Sequence, residues 1–436
     1  MTETRLVVED REHLWSLLVE AAQIEHMIMC QYLYACFSLR TEPGEGLTAG
    51  QADAVARWQE TVTGIAIEEM LHLALVNNVM TAIGAAPSLA RPNFPRHSEF
   101  LPPGVEFALL PFGADSLTHF LYLERPEGME RVDATEFVPA APSPEPVGPA
   151  EVMPRVQGFS TVGHLYRGIE RGLSDLASRL GEPVLFVGEP RAQATPERFR
   201  WPQLIAVRDL TSARAAIDEI IEQGEGARGD WRPAHYGRFF AIWSEYQKLR
   251  GQDPSFEPAR PVIPAFTQQP YDIEERQPQP TEPLTRRVAE LFNLGYEVLL
   301  QVLTRFFTHT DENDEQLDAL VQAALGIMAG VLKPLGTALT RLPMGPGNPG
   351  RTAGAAFQMY YQMGNFVPWR NAAWVLLSER ATVLSRQCAE CAARNGVPEA
   401  VSSAATTAAT VSEQLAGHLP QDLRPAKDKL VTDPAS

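Results

Sequence analysis

The chain has 436 residues, 44% of them hydrophobic, enough for a large core and one to three domains. Its formal charge of −17 excludes a binder of nucleic-acid backbone and of anionic membrane surfaces, both of which call for a basic face. The N-terminus, Met-Thr-Glu-Thr-Arg, carries no apolar signal region and no run of 18 apolar residues occurs, so a cytoplasmic protein without a membrane partner is expected. Four cysteines are too few for a disulfide scaffold, and Cys388-x-x-Cys391 lacks the second pair a zinc site needs, so it reads as helix packing.

The first predicted helix covers 11–39. Its apolar stripe runs Leu14, Leu18, Ala21, Glu25, Ile28, Tyr32, with a carboxylate in the middle. His26 is rotated off that stripe and reads as a supporting or surface residue. After the loop Thr41-Glu-Pro-Gly-Glu-Gly, a second helix is predicted over 49–83, stopping at Gly84 and Pro87. Its stripe is Trp58, Val62, Ile65, Glu69, His72, Val76, Met80, in steps of four and three. Glu69 and His72 are three apart and point the same way. A carboxylate on such a face costs several kcal/mol unless its charge is compensated. On an exposed face Glu-x-x-His means nothing. Interrupted stripes on two successive helices favour a metal ion. Dinuclear carboxylate bundles use Glu-x-x-His on two helices and a single Glu on the other two.

Residues 85–160 are proline-rich and read as a long excursion, with one short helix or mixed element at 116–123. A third helix is predicted over 161–180, ended by Gly181. Within Leu165, Ile169, Leu173 and Leu176 it carries Tyr166 and Glu170; Glu170 is the candidate single carboxylate, a solvated Glu beside Arg167 and Arg171 the alternative. A fourth helix over 211–224, opened by a Thr or Ser cap, presents Glu219, Glu222 and Glu225 at steps of three. No histidine stands at i+3, and spacing leaves open which of the three faces the centre. His235, ten residues past Glu225 at the start of a helix over 235–250, could supply the missing imidazole, with Gly224 and Gly226 letting the backbone distort. Residues 251–283 read as a proline-rich linker or belt. Amphipathic helices follow over 284–400, broken at Pro334 and at Pro343-Met-Gly-Pro-Gly. A partly disordered tail is expected over 401–436.

Taken together, Ile24-Glu-His, Gln31-Tyr-Leu-Tyr, Glu68-Glu-Met-Leu-His-Leu, Glu222-Gln-Gly-Glu-Gly and His235-Tyr-x-Arg-Phe resemble the ferritin-like domain of the iminophenyl-pyruvate dimer synthase family. That family includes domains of enzymes that couple two amino-acid-derived imines on the way to violacein, rebeccamycin and staurosporine. The resemblance covers roughly residues 10–250. Lys333-Pro-Leu-Gly and Arg370-Asn-Ala-Ala-Trp look like the extension that often follows. It implies an all-α fold: a ferritin-like four-helix bundle over 1–250 with long proline-rich crossover loops, the linker, and an additional C-terminal helical region over 284–400. By matching position it implies the metal ligands Glu25, Glu69, His72, Glu170, Glu222 or Glu225, and His235. The function implied is a non-haem dinuclear oxidase or oxygenase. Two irons per chain, or manganese, would act with O₂ on a small amino-acid-derived or aromatic metabolite of secondary metabolism. A homodimer through the C-terminal helices is expected. The dimer synthases are much longer than this chain, so imine coupling is not itself implied. The alternative is a non-catalytic ferritin-like protein that binds metal or haem, or acts as a partner subunit.

Overall fold

The computed structural model of the chain describes residues 6–42, 44–97, 106–126, 129, 158–159, 161–226, 230–265, 278–359 and 367–424. Most of the proline-rich excursion, part of the linker and the end of the expected tail lie outside these residues.

Two long helices come first. Helix α1 (Arg11–Ser38) starts at Asp10, whose carboxylate accepts from the His13 amide. Helix α2 (Ala49–Ala82) starts at a reciprocal capping box between Thr48 and Gln51. A short hairpin of β1 (Arg96–His97) and β2 (Glu106–Phe107) follows, pairing Arg96 with Phe107. Helix α3 (Ala114–Leu123) extends the element expected at 116–123. Helix α4 (Val162–Leu180) is capped by Thr161 and stopped by Gly181 at φ 84°. Two single-turn helices, α5 (Glu182–Leu185) and α6 (Pro196–Phe199), lead to α7 (Leu210–Gly224) and α8 (His235–Gln252). Helix α7 opens at Asp209, not at the Thr or Ser expected. Asp209 accepts from the Ser212 amide, and an ionised cap also meets the positive end of the helix dipole.

Helices α1, α2, α4 and α7 form a closed ring: α1 packs on α2 and α4, and α7 packs on the same two. This is the expected four-helix bundle. Helices α3 and α8 pack on each other, and α8 leans on α2 beside the ring.

The C-terminal block comprises α9 (Pro283–Phe307), α10 (Asp314–Ile327), α11 (Lys333–Leu339), α12 (Arg370–Ala392) and α13 (Glu399–Gly417). Pro334 does not break the run between α10 and α11. It has no N–H to donate, and a π turn over Met328–Leu332 takes up the mismatch just before it. The continuous stretch Asp314–Leu339 is long and apolar enough to cross a membrane, with mean hydropathy 1.5, but 56% of that window is buried within the fold. The stretch expected to begin a disordered tail is instead helix α13, packed on α12. Val401, Ala404, Ala408, Val411 and Leu415 recur at helical spacing and are buried there. Bundle and C-terminal block share one continuous hydrophobic core.

Candidate metal centre

Helix α1 brings Glu25 into the bundle, and one turn of α2 brings Glu69 and His72. The C-cap of α3 adds Glu124, and the first residue of α8 adds His235. All five residues are buried, none more than 7% exposed. They form two groups, Glu25–Glu69–His72 and Glu69–Glu124–His235. Within each group one donor atom per residue lies within 4.8 Å of the others.

Glu69 belongs to both groups, one oxygen to each. Its Oε2 is 3.0 Å from His72 Nδ1, and its Oε1 is 2.8 Å from His235 Nδ1. Each half has its own further carboxylate. Glu25 Oε2 is 3.4 Å from His72 Nδ1, and Glu124 Oε2 is 3.6 Å from His235 Nδ1. The two imidazoles stack with centroids 5.3 Å apart. A tyrosine holds each outer carboxylate: Tyr166 donates to Glu25 Oε1 at 2.5 Å, and Tyr32 donates to Glu124 Oε1.

Three carboxylates in a dry interior demand positive charge. Burial, and then the neighbouring Glu69 carboxylate, push Glu25 up to about 7. Burial alone would depress His72, but Glu69 and Glu25 more than offset it and raise it to about 10. His235 is likewise raised despite burial, by Glu69 and Glu124. Against its own burial, Glu69 is held below the usual carboxylate range by His235 and His72. Protons thus stand where cations would be equally favoured. His235 Nδ1 points into the centre as a fully buried nitrogen without a hydrogen bond in line, among the described residues. Oxygen and imidazole donors in two adjoining groups suit iron or manganese, so these residues could hold metal.

A narrow cleft reaches the centre between the start of α4 and the end of α7, lined by Ile28, Leu123, Val162, Ile220 and Ile221 around Glu25 and His72. Glu225 also lines it. A Cβ built on Gly163 would fall 2.0 Å from the Glu225 carboxylate, so the missing side chain on α4 makes room for that group.

Of the residues singled out in the sequence, the structure brings Glu25, Glu69, His72 and His235 together and leaves Glu225 at the cleft wall. Glu170 and Glu222 are placed elsewhere. Glu170 is on the flank of α4, 4.0 Å from Arg214, because Tyr166, one turn earlier, is the residue that faces the centre. Glu222 is exposed on α7. From that helix Gln223 reaches in, its Oε1 3.0 Å from His72 Nε2. Glu124 was missed. Its only trace is the short apolar run from Phe120 to Leu123 ending on a carboxylate. His26 is fully buried, facing Tyr296 of α9.

A ring of four helices around paired carboxylate and imidazole groups defines the ferritin-like class. The chain belongs to the ferritin-like family, whose model matches residues 18–244. It is 28% identical over 424 residues to dichlorochromopyrrolate synthase of Lentzea aerocolonigenes, a match covering 90% of this chain and 40% of that protein. It is 27% identical over 364 residues to the 2-imino-3-(indol-3-yl)propanoate dimerase of Chromobacterium violaceum, covering 80% and 34%. The chain therefore spans well under half the length of these curated relatives. The resemblance to the iminophenyl-pyruvate dimer synthase family is borne out. A crystal structure of a ferritin-like protein from Caulobacter vibrioides superposes with a TM-score of 0.51 at 16% identity, covering 77% of this chain and 97% of that one, which shows the shared fold.

Proposed function

We propose that this chain is a dinuclear metal oxidoreductase, with iron as the metal and O₂ as the oxidant. Glu25 and His72 would hold one ion, Glu124 and His235 the other, with Glu69 bridging. The observation that carries this is Glu69, which offers one oxygen to each imidazole-bearing group. When bound, an iron pair with open positions supplies O₂ binding and electron transfer.

The chain's own residues do the rest. Tyr166 and Tyr32 fix the outer carboxylates by donating to them. The apolar lining of the cleft keeps bulk water from the centre. One relative's name specifies an imino acid bearing an indole. The substrate proposed here is of that broad class, a small amino-acid-derived imine or aromatic metabolite of secondary metabolism.

Metal analysis of protein reconstituted anaerobically with ferrous iron tests the assignment. About two equivalents per chain are expected, with O₂ consumed when an aromatic imino acid is added. Glu69→Ala is expected to lose both equivalents while keeping its helical circular dichroism. Full retention of metal by that variant would overturn the bridging assignment.

A further inference from the structure

We propose that Glu68 and Arg238 are positioning residues that clamp His235, so that Nδ1 rather than Nε2 is the nitrogen offered to a cation. This rests on the metal-centre reading above, and it concerns two residues outside the donor set.

Glu68 and Glu69 are successive on α2, and their carboxylates flank the two edges of one imidazole. Glu68 Oε2 is 2.8 Å from His235 Nε2, and Glu69 Oε1 is 2.8 Å from Nδ1. The two carboxylates differ in what else holds them. Arg238 grips both oxygens of Glu68, donating from Nη1 to Oε1 at 3.2 Å and from Nη2 to Oε2. Arg238 stands three residues after His235, so one face of α8 presents both the imidazole and the guanidinium. The fork fixes the carboxylate plane as well as its charge. Glu68 is about a third exposed and reaches the surface, whereas His235 is fully buried.

An ionised carboxylate can only accept, so the Nε2 edge of His235 must donate. A neutral imidazole has a single N–H. With that proton on Nε2, Nδ1 keeps its lone pair, and Nδ1 is the buried nitrogen left without an in-line partner. His72 has the same orientation with weaker support: its Nδ1 faces Glu69 and Glu25, while its Nε2 meets the neutral amide oxygen of Gln223 at 3.0 Å. A carboxylate behind an imidazole makes it a stronger donor than an amide does. The two halves of the centre are therefore unequal, and the clamp acts on the His235 half alone.

The test is a cobalt(II) titration of the metal-free chain, followed by visible absorption and calorimetry. Long-range proton–nitrogen spectra of the zinc-loaded, nitrogen-15 histidine-labelled chain add the tautomer, His235 being assigned by substitution. The wild-type chain is expected to take up two equivalents and to show His235 protonated on Nε2. Glu68→Ala should weaken one equivalent by about 10- to 100-fold and leave the other unchanged. Glu68→Gln keeps an acceptor oxygen and should restore most of the loss, a rescue that a merely structural role would not predict. Arg238→Ala should weaken the same equivalent by less. It is partly exposed, and it decides the matter should Glu68→Ala fold poorly. Unchanged binding of both equivalents in the variants, or a proton on Nδ1 in the loaded wild-type chain, overturns the clamp and leaves the centre standing. A wild-type chain that binds no cobalt overturns the centre itself.

Discussion

Glu25 and His72 show what a metal-free centre costs. Their usual values are 4.5 and 6.5, and folding raises them to about 7 and about 10. Both hold their protons more tightly folded than unfolded, so the stability they contribute is complete below the unfolded values. It is lost as pH rises, through about 7 for Glu25 and about 10 for His72. Chelated protein should therefore melt at progressively lower temperature as pH is raised across that window. Metal-loaded protein should not, because cations replace the protons, and metal affinity should rise with pH. Melting curves at several pH values, with and without chelator, check this; identical slopes would argue against cations at these residues. These same residues were the legible ones. Glu25, Glu69 and His72 interrupt long apolar stripes, and a helical period makes such interruptions visible. Glu124 follows a helix of only ten residues beside irregular chain, where no period exists to be interrupted.

Helix α8 delivers its histidine from its first residue, and the turn beneath it sets the position. A Cβ on Gly237 would fall 2.2 Å from the Arg232 carbonyl oxygen and 2.5 Å from that of Trp231. Those are backbone atoms, so Gly237→Ala must shift the turn that holds His235. The expected cost is about 1–3 kcal/mol in urea denaturation, with loss of affinity confined to the His235 half in a cobalt titration. Wild-type values in both would mean that the turn yields without consequence. Helix α4 carries the opposite lesson. Its apolar stripe was readable, yet Tyr166 and Glu170 are adjacent enough on the helix that the stripe alone could not say which faced inward. Only the neighbouring helices α1 and α7 decide it, Glu25 taking the tyrosine hydroxyl and Arg214 lying near Glu170 at the rim.

At the scale of the whole molecule, the described part of the proline-rich linker is a strap that ties the bundle to the C-terminal block. Arg40 donates its amide to the Pro258 carbonyl and Arg260 donates its amide to the Ser38 carbonyl, both at 2.8 Å. The Arg260 side chain is buried. It donates to the Phe37 carbonyl and to Thr340 Oγ1, each at 3.1 Å, and to Glu45 Oε1 at 2.6 Å and Oε2 at 3.0 Å. It thus joins the end of α1, the loop before α2 and the end of α11. Arg260→Ala removes the donor that the Phe37 carbonyl, Thr340 and Glu45 share; Glu45 is partly exposed and keeps the Glu42 amide, so a loss of about 1–3 kcal/mol is expected. Since the two parts share one core, calorimetry should show a single transition that moves as a whole; two transitions, only one of them shifted, would mean that the parts unfold separately.

Local periodicity in the sequence was enough to mark the long helices of the N-terminal half and to single out Glu25, Glu69 and His72 on their inward faces, because a long amphipathic helix records in its own spacing which face is inward; the four-helix bundle itself was read from the family resemblance. The rest is long-range. Glu124 and His235 come from α3 and α8, outside the four-helix ring, and reach Glu69 only because α3 packs on α8 and α8 on α2. Helices α4 and α7, expected to supply ligands, instead supply Tyr166 and Glu225 to the wall and Gln223 to the far edge of His72. Which of several carboxylates lies within reach of an imidazole depends on helix rotation and on contacts between segments far apart in the chain, and no local pattern records either.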